Sequence, residues 1–176
     1  MSALSPLTAV SPLDGRYERT VAPLRAVFSE YAFMHARLRV EVEWLRALSG
    51  LGLAELPALP VPAVARLDAL IREFSVDDAA AIKAIESRTN HDVKAVEYWI
   101  REATADEPAL ARAAEFIHFA CTSEDINNVA HALMLADGRA LLQDRLRIVH
   151  NLLRGIAHDH AALPMLSRTH GQSATP

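Results

Sequence analysis

Apolar residues recur at intervals of three and four along most of the chain, which predicts a series of amphipathic helices. The first predicted helix covers residues 23–49, with Pro23 suited to its first turn and Gly50 to its end. Its methionine and aromatic stripe is typical of a core face, and arginine and glutamate fill most of the opposite face. Four shorter helices are predicted over residues 63–74, 75–87, 93–104 and 108–119.

Polar residues mark the starts of two of these helices. Ser75 and Asp78 have the spacing of a capping box, with aspartate in the glutamate position. Asp92 is the predicted N-cap of helix 93–104, so that Asn90 and His91 lie in the loop just before it. Backbone N–H groups and the helix dipole favour an anion at such a place. The alternative is a turn and cap that bind no ligand.

The longest helical pattern runs from residue 125 to about 162. About 38 residues at ~1.5 Å each give a rod of roughly 57 Å, the length expected of a bundle spine. Gly138 and Gly155 mark bends or close helix contacts in it. The polar stretch 116–128 precedes and enters this helix, where Thr122 and Ser123 cap the helix, bind an anion, or do both.

The two ends of the chain contain loops. Residues 1–20 carry two Ser-Pro pairs and an Asp-Gly turn, directly followed by Arg16 and Tyr17. These two are either an exposed arginine and a half-buried tyrosine, or a cation and a hydroxyl that bind an anion. At the other end, Thr175-Pro176 has the composition of the start of a further helix.

Composition supports an all-α fold, because the chain has only six glycines and aromatic residues make up only 6% of it. A net charge of −4 argues against a nucleic-acid partner. The single cysteine, Cys121, fits a reducing compartment. There is neither a signal-peptide pattern nor an apolar run of the ~20 residues that cross a membrane, so we expect a cytoplasmic protein without a membrane partner.

The candidate chemistry lies in four groups of loop residues. The eight histidines form no HExxH or Cys/His cluster, so we expect no metal, and no glycine-rich phosphate loop occurs. A Cys121–His118 dyad is possible, although a buried cysteine is the commoner case. What remains is a set of oxyanion-binding groups suited to a multiply charged substrate and an acid–base elimination: Arg16-Tyr17, Asn90-His91-Asp92, Thr122-Ser123 and Ser167–Gln172.

Four motifs then resemble those of the bacterial adenylosuccinate lyases, a family within the fumarase/aspartase superfamily. They occur in the family's order along the whole chain: SPLDGRY (11–17), TNHDVKAVEY (89–98), FIHFACTSEDINN (116–128) and SRTHGQ (167–172). This resemblance implies an all-α fold, with an N-terminal helical domain over 1–111 and the first long helix of a central bundle over 112–176. It also implies a homotetramer and no cofactor.

The activity implied by the resemblance is a metal-free β-elimination of fumarate in purine biosynthesis, from adenylosuccinate and from the succinyl-carboxamide ribotide. His170 resembles the general acid, and Gln172 assists. The residues that resemble substrate-binding positions are Arg16, Tyr17, Asn90, His91, Asp92, Thr122 and Ser123. His118 lies within a motif, and support of the site is as good an interpretation as a direct role. Two alternatives remain, namely another fumarate-releasing lyase of the superfamily or a non-catalytic nucleotide-binding module.

Members of the family are much longer, and their general base is a serine on a downstream loop that residues 1–176 do not contain. We therefore predict that this chain alone does not turn over adenylosuccinate, because the acid is present without the base. Fumarate release from the 176-residue chain, followed by ultraviolet absorbance, is expected to stay at background. Turnover near that of a full-length enzyme would contradict the prediction.

Overall fold

The computed structural model describes residues 5–174. The helices are α1 (Glu18–Val21), α2 (Arg25–Phe28), α3 (Glu30–Ser49), α4 (Val61–Arg72), α5 (Val76–Thr89), α6 (Asp92–Ala103), α7 (Pro108–Arg112) and α8 (Ser123–Asp159). Two short 3₁₀ helices cover Ala22–Leu24 and Ala114–Phe116, and a two-stranded sheet is formed by β1 (Ser167–Thr169) and β2 (Gln172–Ala174). The all-α prediction is confirmed apart from this small sheet. In the described part of the chain, no helix is both long and apolar enough to cross a membrane.

The first predicted helix is interrupted at Ser29. Its backbone is extended there (φ −77°, ψ 164°), and its hydroxyl accepts a hydrogen bond from the N–H of Ala32. A single helix over 23–49 was therefore wrong: a 3₁₀ turn and α2 precede α3. An N-cap serine outweighs the continuous apolar spacing at this point.

The core lies mainly among α3, α4, α5 and α6, where their leucine, isoleucine and valine side chains are buried. Aromatic rings extend it, with Phe74 stacked on Tyr31 at 5.4 Å and in edge contact with Trp99. The Tyr31 hydroxyl donates to the carbonyl of Phe74 at 2.8 Å. The stripe predicted as a core face is thus confirmed.

The capping box is confirmed at α5, where the Ser75 N–H donates to the Asp78 carboxylate and the Asp78 N–H donates to the Ser75 hydroxyl oxygen. The predicted cap of α6 was wrong by one residue. His91 is the N-cap, because its Nδ1 accepts from the N–H of Lys94 at 3.2 Å, while Asp92 is the first helical residue. An imidazole nitrogen can accept a hydrogen bond as a hydroxyl oxygen does.

Later helices differ from the predicted lengths. The helix predicted over 108–119 ends at Arg112 and is followed by a 3₁₀ turn, after which His118 and Ala120 adopt positive φ. The long helix begins at Ser123 and ends at Asp159, close to its predicted bounds. Gly138 allows α8 to contact Phe28 closely, since a Cβ at residue 138 would lie 2.3 Å from the Phe28 ring.

The chain divides into two compact units, the first ending at Gly138 and the second beginning at Arg139. The predicted domain boundary at residue 111 stays a prediction. Residues 167–172 were predicted as loop, but they belong to an antiparallel hairpin over 167–174, in which Thr169 pairs with Gln172. His170 and Gly171 make its two-residue turn, with φ of 49° and 77°, as a type I′ turn requires. The predicted helix start at 175–176 lies outside the described residues.

Candidate functional site

Arg37 is a buried cation on α3 with partners on two other helices. Only 4% of its side chain is exposed. Its Nη2 donates to Asp92 Oδ2 at 2.5 Å at the start of α6, and its Nε donates to Asn127 Oδ1 at 2.9 Å in the first turns of α8. The guanidinium lies 3.8 Å from the ring centroid of Phe33, which stacks on His131. A desolvated guanidinium needs such partners, because an unpaired buried charge costs several kcal/mol.

Asp92 is held in its ionised form by this arrangement. Burial favours the neutral carboxyl, but the N–H of Val93 and the Arg37 guanidinium outweigh it, so that the pKa of Asp92 lies below its ordinary value. The neighbouring Asn90 has a left-handed backbone (φ 50°, ψ 35°), where asparagine is tolerated better than most residues. The loop 90–92 is thus fixed at both ends, by the end of α5 and by Arg37.

His91 presents a donor at the entrance of α6. Its Nδ1 accepts from the Lys94 N–H, so the neutral ring carries its proton on Nε2. About half of the side chain is exposed. An exposed imidazole N–H beside the N–H groups of a first helical turn suits a negatively charged ligand.

Thr122 and Ser123 lie at the entrance of α8 and differ in what their polar atoms contact. The N–H and the hydroxyl of Thr122 both donate to Asp125 Oδ2, at 2.8 and 3.1 Å. The Ser123 hydroxyl has no hydrogen-bond partner within residues 5–174. Asp125 therefore occupies the donors of Thr122, whereas Ser123 retains its donor for a ligand.

A buried carboxyl group on α3, that of Glu41, holds the loop before α8. Its side chain is fully buried, and its Oε1 lies 2.7 Å from Nδ1 of His118. Burial raises the pKa of Glu41, and His118 opposes that rise. The indole N–H of Trp44, also on α3, donates to the carbonyl of Phe119 at 2.8 Å. These contacts support the interpretation of His118 as a residue that supports the site.

Cys121 has the features of an unreactive thiol. Burial and the nearby carboxylates of Glu41 and Asp125 raise its pKa, which disfavours the thiolate. The Nδ1 of His118 is taken by Glu41. A Cys121–His118 nucleophilic dyad is accordingly not supported. Within residues 5–174, no three His, Cys, Asp or Glu side chains are grouped as metal ligands would be.

The remaining predicted site residues are Arg16, Tyr17, His170 and Gln172. Arg16 and Tyr17 are exposed and contact each other, with the guanidinium 5.5 Å from the ring centroid. Among the described residues, neither makes a hydrogen bond or ion pair with another predicted site residue. His170 lies in the hairpin turn and Gln172 opens β2, both exposed, within the second unit.

The comparisons with known proteins agree on one family. The sequence model of the family described as "Lyase" matches residues 15–176. The chain is 50% identical to adenylosuccinate lyase of Haemophilus influenzae and 51% identical to that of Escherichia coli K12, over 98% of its own length. Against adenylosuccinate lyase of Vibrio cholerae it is 49% identical.

The chain belongs to the lyase family. Its resemblance to adenylosuccinate lyases, first seen in four motifs, is thereby confirmed as similarity along nearly its full length. The chain spans 38% of the length of these relatives.

Two residues that position the lyase motifs were missed by sequence reasoning. Arg37 and Glu41 belong to the face of the first helix that was expected to be exposed, yet both are buried. Their spacing of four residues places them on one helix face. That spacing was the available signal, but it is equally common in exposed ion pairs.

The pH dependence of folding tests the bond between Thr122 and Asp125. The N–H and hydroxyl of Thr122 lower the pKa of Asp125. A lowered carboxyl pKa contributes stability that is complete above the ordinary value of about 3.9 and is lost as the pH falls through the folded-state pKa. Below about pH 4, the unaltered protein loses the stability that ionised Asp125 contributes. We expect the free energy of unfolding of Asp125→Asn, measured by urea denaturation, to fall less over this pH range.

Asp137→Asn is the matched control, because it removes the same charge from α8 at an exposed position without a hydrogen bond or ion pair among the described residues. Superimposable pH profiles for the two variants would refute a stabilising role of the Thr122–Asp125 bond.

Proposed function

We propose that the longer protein containing this chain is an adenylosuccinate lyase. It would release fumarate from adenylosuccinate to give AMP, and from the succinyl-carboxamide ribotide, in purine biosynthesis. The observation that carries this proposal is the identity of about half of all residues, over 98% of the chain, with relatives named adenylosuccinate lyase. The geometry of the candidate loops is compatible with it, since an anionic nucleotide needs several hydrogen-bond donors.

We assign direct substrate contact to the groups with available donors. In the first unit these are the imidazole of His91, the amide of Asn90 and the hydroxyl of Ser123. Asp92 and Thr122 belong to the same site but use their polar atoms to hold its loops, through Arg37 and Asp125. Arg16 and Tyr17 are proposed nucleotide contacts on the strength of their motif alone.

His170 is the proposed general acid, and Gln172 assists it. In the elimination a base removes a proton beside a succinyl carboxylate, the C–N bond breaks, and His170 protonates the departing nitrogen. The type I′ turn exposes the imidazole at the tip of a hairpin, which leaves both ring nitrogens accessible. The base is proposed to come from sequence beyond this chain.

We also propose a cytoplasmic homotetramer. The second half of α8 supports this assembly, because its large apolar residues are exposed where a soluble monomer would bury them. They are Leu142, Leu146, Ile148, Val149, Leu152, Leu153 and Ile156. The nucleotide substrate is the proposed small-molecule partner, with neither nucleic acid nor membrane involved.

The substrate assignment is tested with the full-length protein that contains this segment. Fumarate formation from adenylosuccinate is expected at enzymatic rates, and argininosuccinate is expected to give none. Turnover of argininosuccinate in place of adenylosuccinate would assign the protein to another lyase of the superfamily.

The role of His170 is tested by His170→Asn, which suits the left-handed backbone of the turn. Removing a general acid is expected to lower kcat by about 10²–10⁴-fold, with a smaller change in KM. An unchanged kcat would refute the assignment of His170 as the acid.

A further inference from the structure

Arg37 contacts both candidate substrate loops of the first unit, although it belongs to neither. Its partner Asp92 directly follows His91, and its partner Asn127 lies four residues after Ser123. We propose that Arg37 is a positioning residue of the lyase reaction, which fixes the His91 and Ser123 loops relative to each other so that both contact one substrate. This inference rests on the proposed function.

The surroundings of Arg37 leave it little freedom. With 4% of its side chain exposed, almost none of the guanidinium is available to a substrate or to water. The ring of Phe33 covers one face of the guanidinium plane, at 3.8 Å. Since the donors of a guanidinium point in fixed directions within that plane, the positions of its two acceptors are fixed as well.

The separation of the two donors explains why an arginine is required. Nη2 bonds to the carboxylate on α6, while Nε bonds to the amide oxygen on α8. A lysine at this position keeps the positive charge, but its single ammonium is a point donor without the fixed fork. The lysine ammonium can remain paired with Asp92 while Asn127 is left without a partner.

The test uses the full-length protein and compares two substitutions on the same helix. Arg37→Lys removes the link between the loops. Arg46→Lys is the matched control, because Arg46 also lies on α3 and pairs with Asp68 at 2.5 Å and Glu43 at 2.9 Å, on none of the candidate loops. The measurements are kcat and KM for adenylosuccinate and the midpoint of thermal unfolding.

Arg37→Lys is expected to lower kcat/KM at least about tenfold, since misplaced substrate contacts weaken transition-state binding. Arg46→Lys is expected to keep kcat/KM within about threefold of the unaltered protein. Its unfolding midpoint is expected to fall less than that of Arg37→Lys, because the ion pairs of Arg46 are more exposed. Asn127→Ala, which retains the pair of Arg37 with Asp92, is expected to lower kcat/KM in the same way. The double variant should then lose less than the product of the two single losses, because both break one contact.

An equal kcat/KM for Arg37→Lys and Arg46→Lys would overturn the inference, as would a loss that disappears after correction for the folded fraction. If the unaltered full-length protein releases no fumarate from adenylosuccinate, the proposed function fails and the positioning role falls with it. If the unaltered protein is active and Arg37→Lys is equally active, only the positioning role fails.

Discussion

Helix α3 buries a guanidinium and a carboxyl group one turn apart, Arg37 and Glu41, and the loops of the site depend on the partner that each of them has. A buried polar or charged group without a partner costs free energy, so the chain must bring a hydrogen-bonding group to each. Asp92 and Asn127 come to Arg37, and His118 comes to Glu41. Asp92 begins α6, Asn127 lies in the first turns of α8, and His118 precedes α8. Both helices carry a lyase motif.

This requirement links the core to the proposed chemistry. The apolar contacts of α3 with its neighbours supply most of the burial, but they do not distinguish one loop conformation from another. The directional bonds to Arg37 and Glu41 favour one loop conformation over others. They occur beside residues whose backbone conformation is unfavourable by itself. Asn90, His118 and Ala120 all have positive φ and lie within two residues of these bonds or their partners. Such conformations persist when surrounding contacts determine them.

Local patterns predicted most of the helices, because helical periodicity and the Ser75 capping box act over a few positions. The hairpin over residues 167–174 was not predicted. Local patterns failed where two local signals competed, as when Ser29 interrupted a continuous apolar pattern and His91 replaced Asp92 as the cap. The loop residues were found from their motifs. Arg37 could not be found in this way, because its role comes from partners 55 and 90 residues away in the sequence.

Hydrogen–deuterium exchange of the full-length protein, with and without AMP, tests most directly whether the His91 and Ser123 loops form one substrate site held together through α3. AMP is expected to slow amide exchange in both segments, residues 89–94 and 121–127, over the same range of nucleotide concentration. Protection of only one of the two segments, or of neither at saturating AMP, would contradict it.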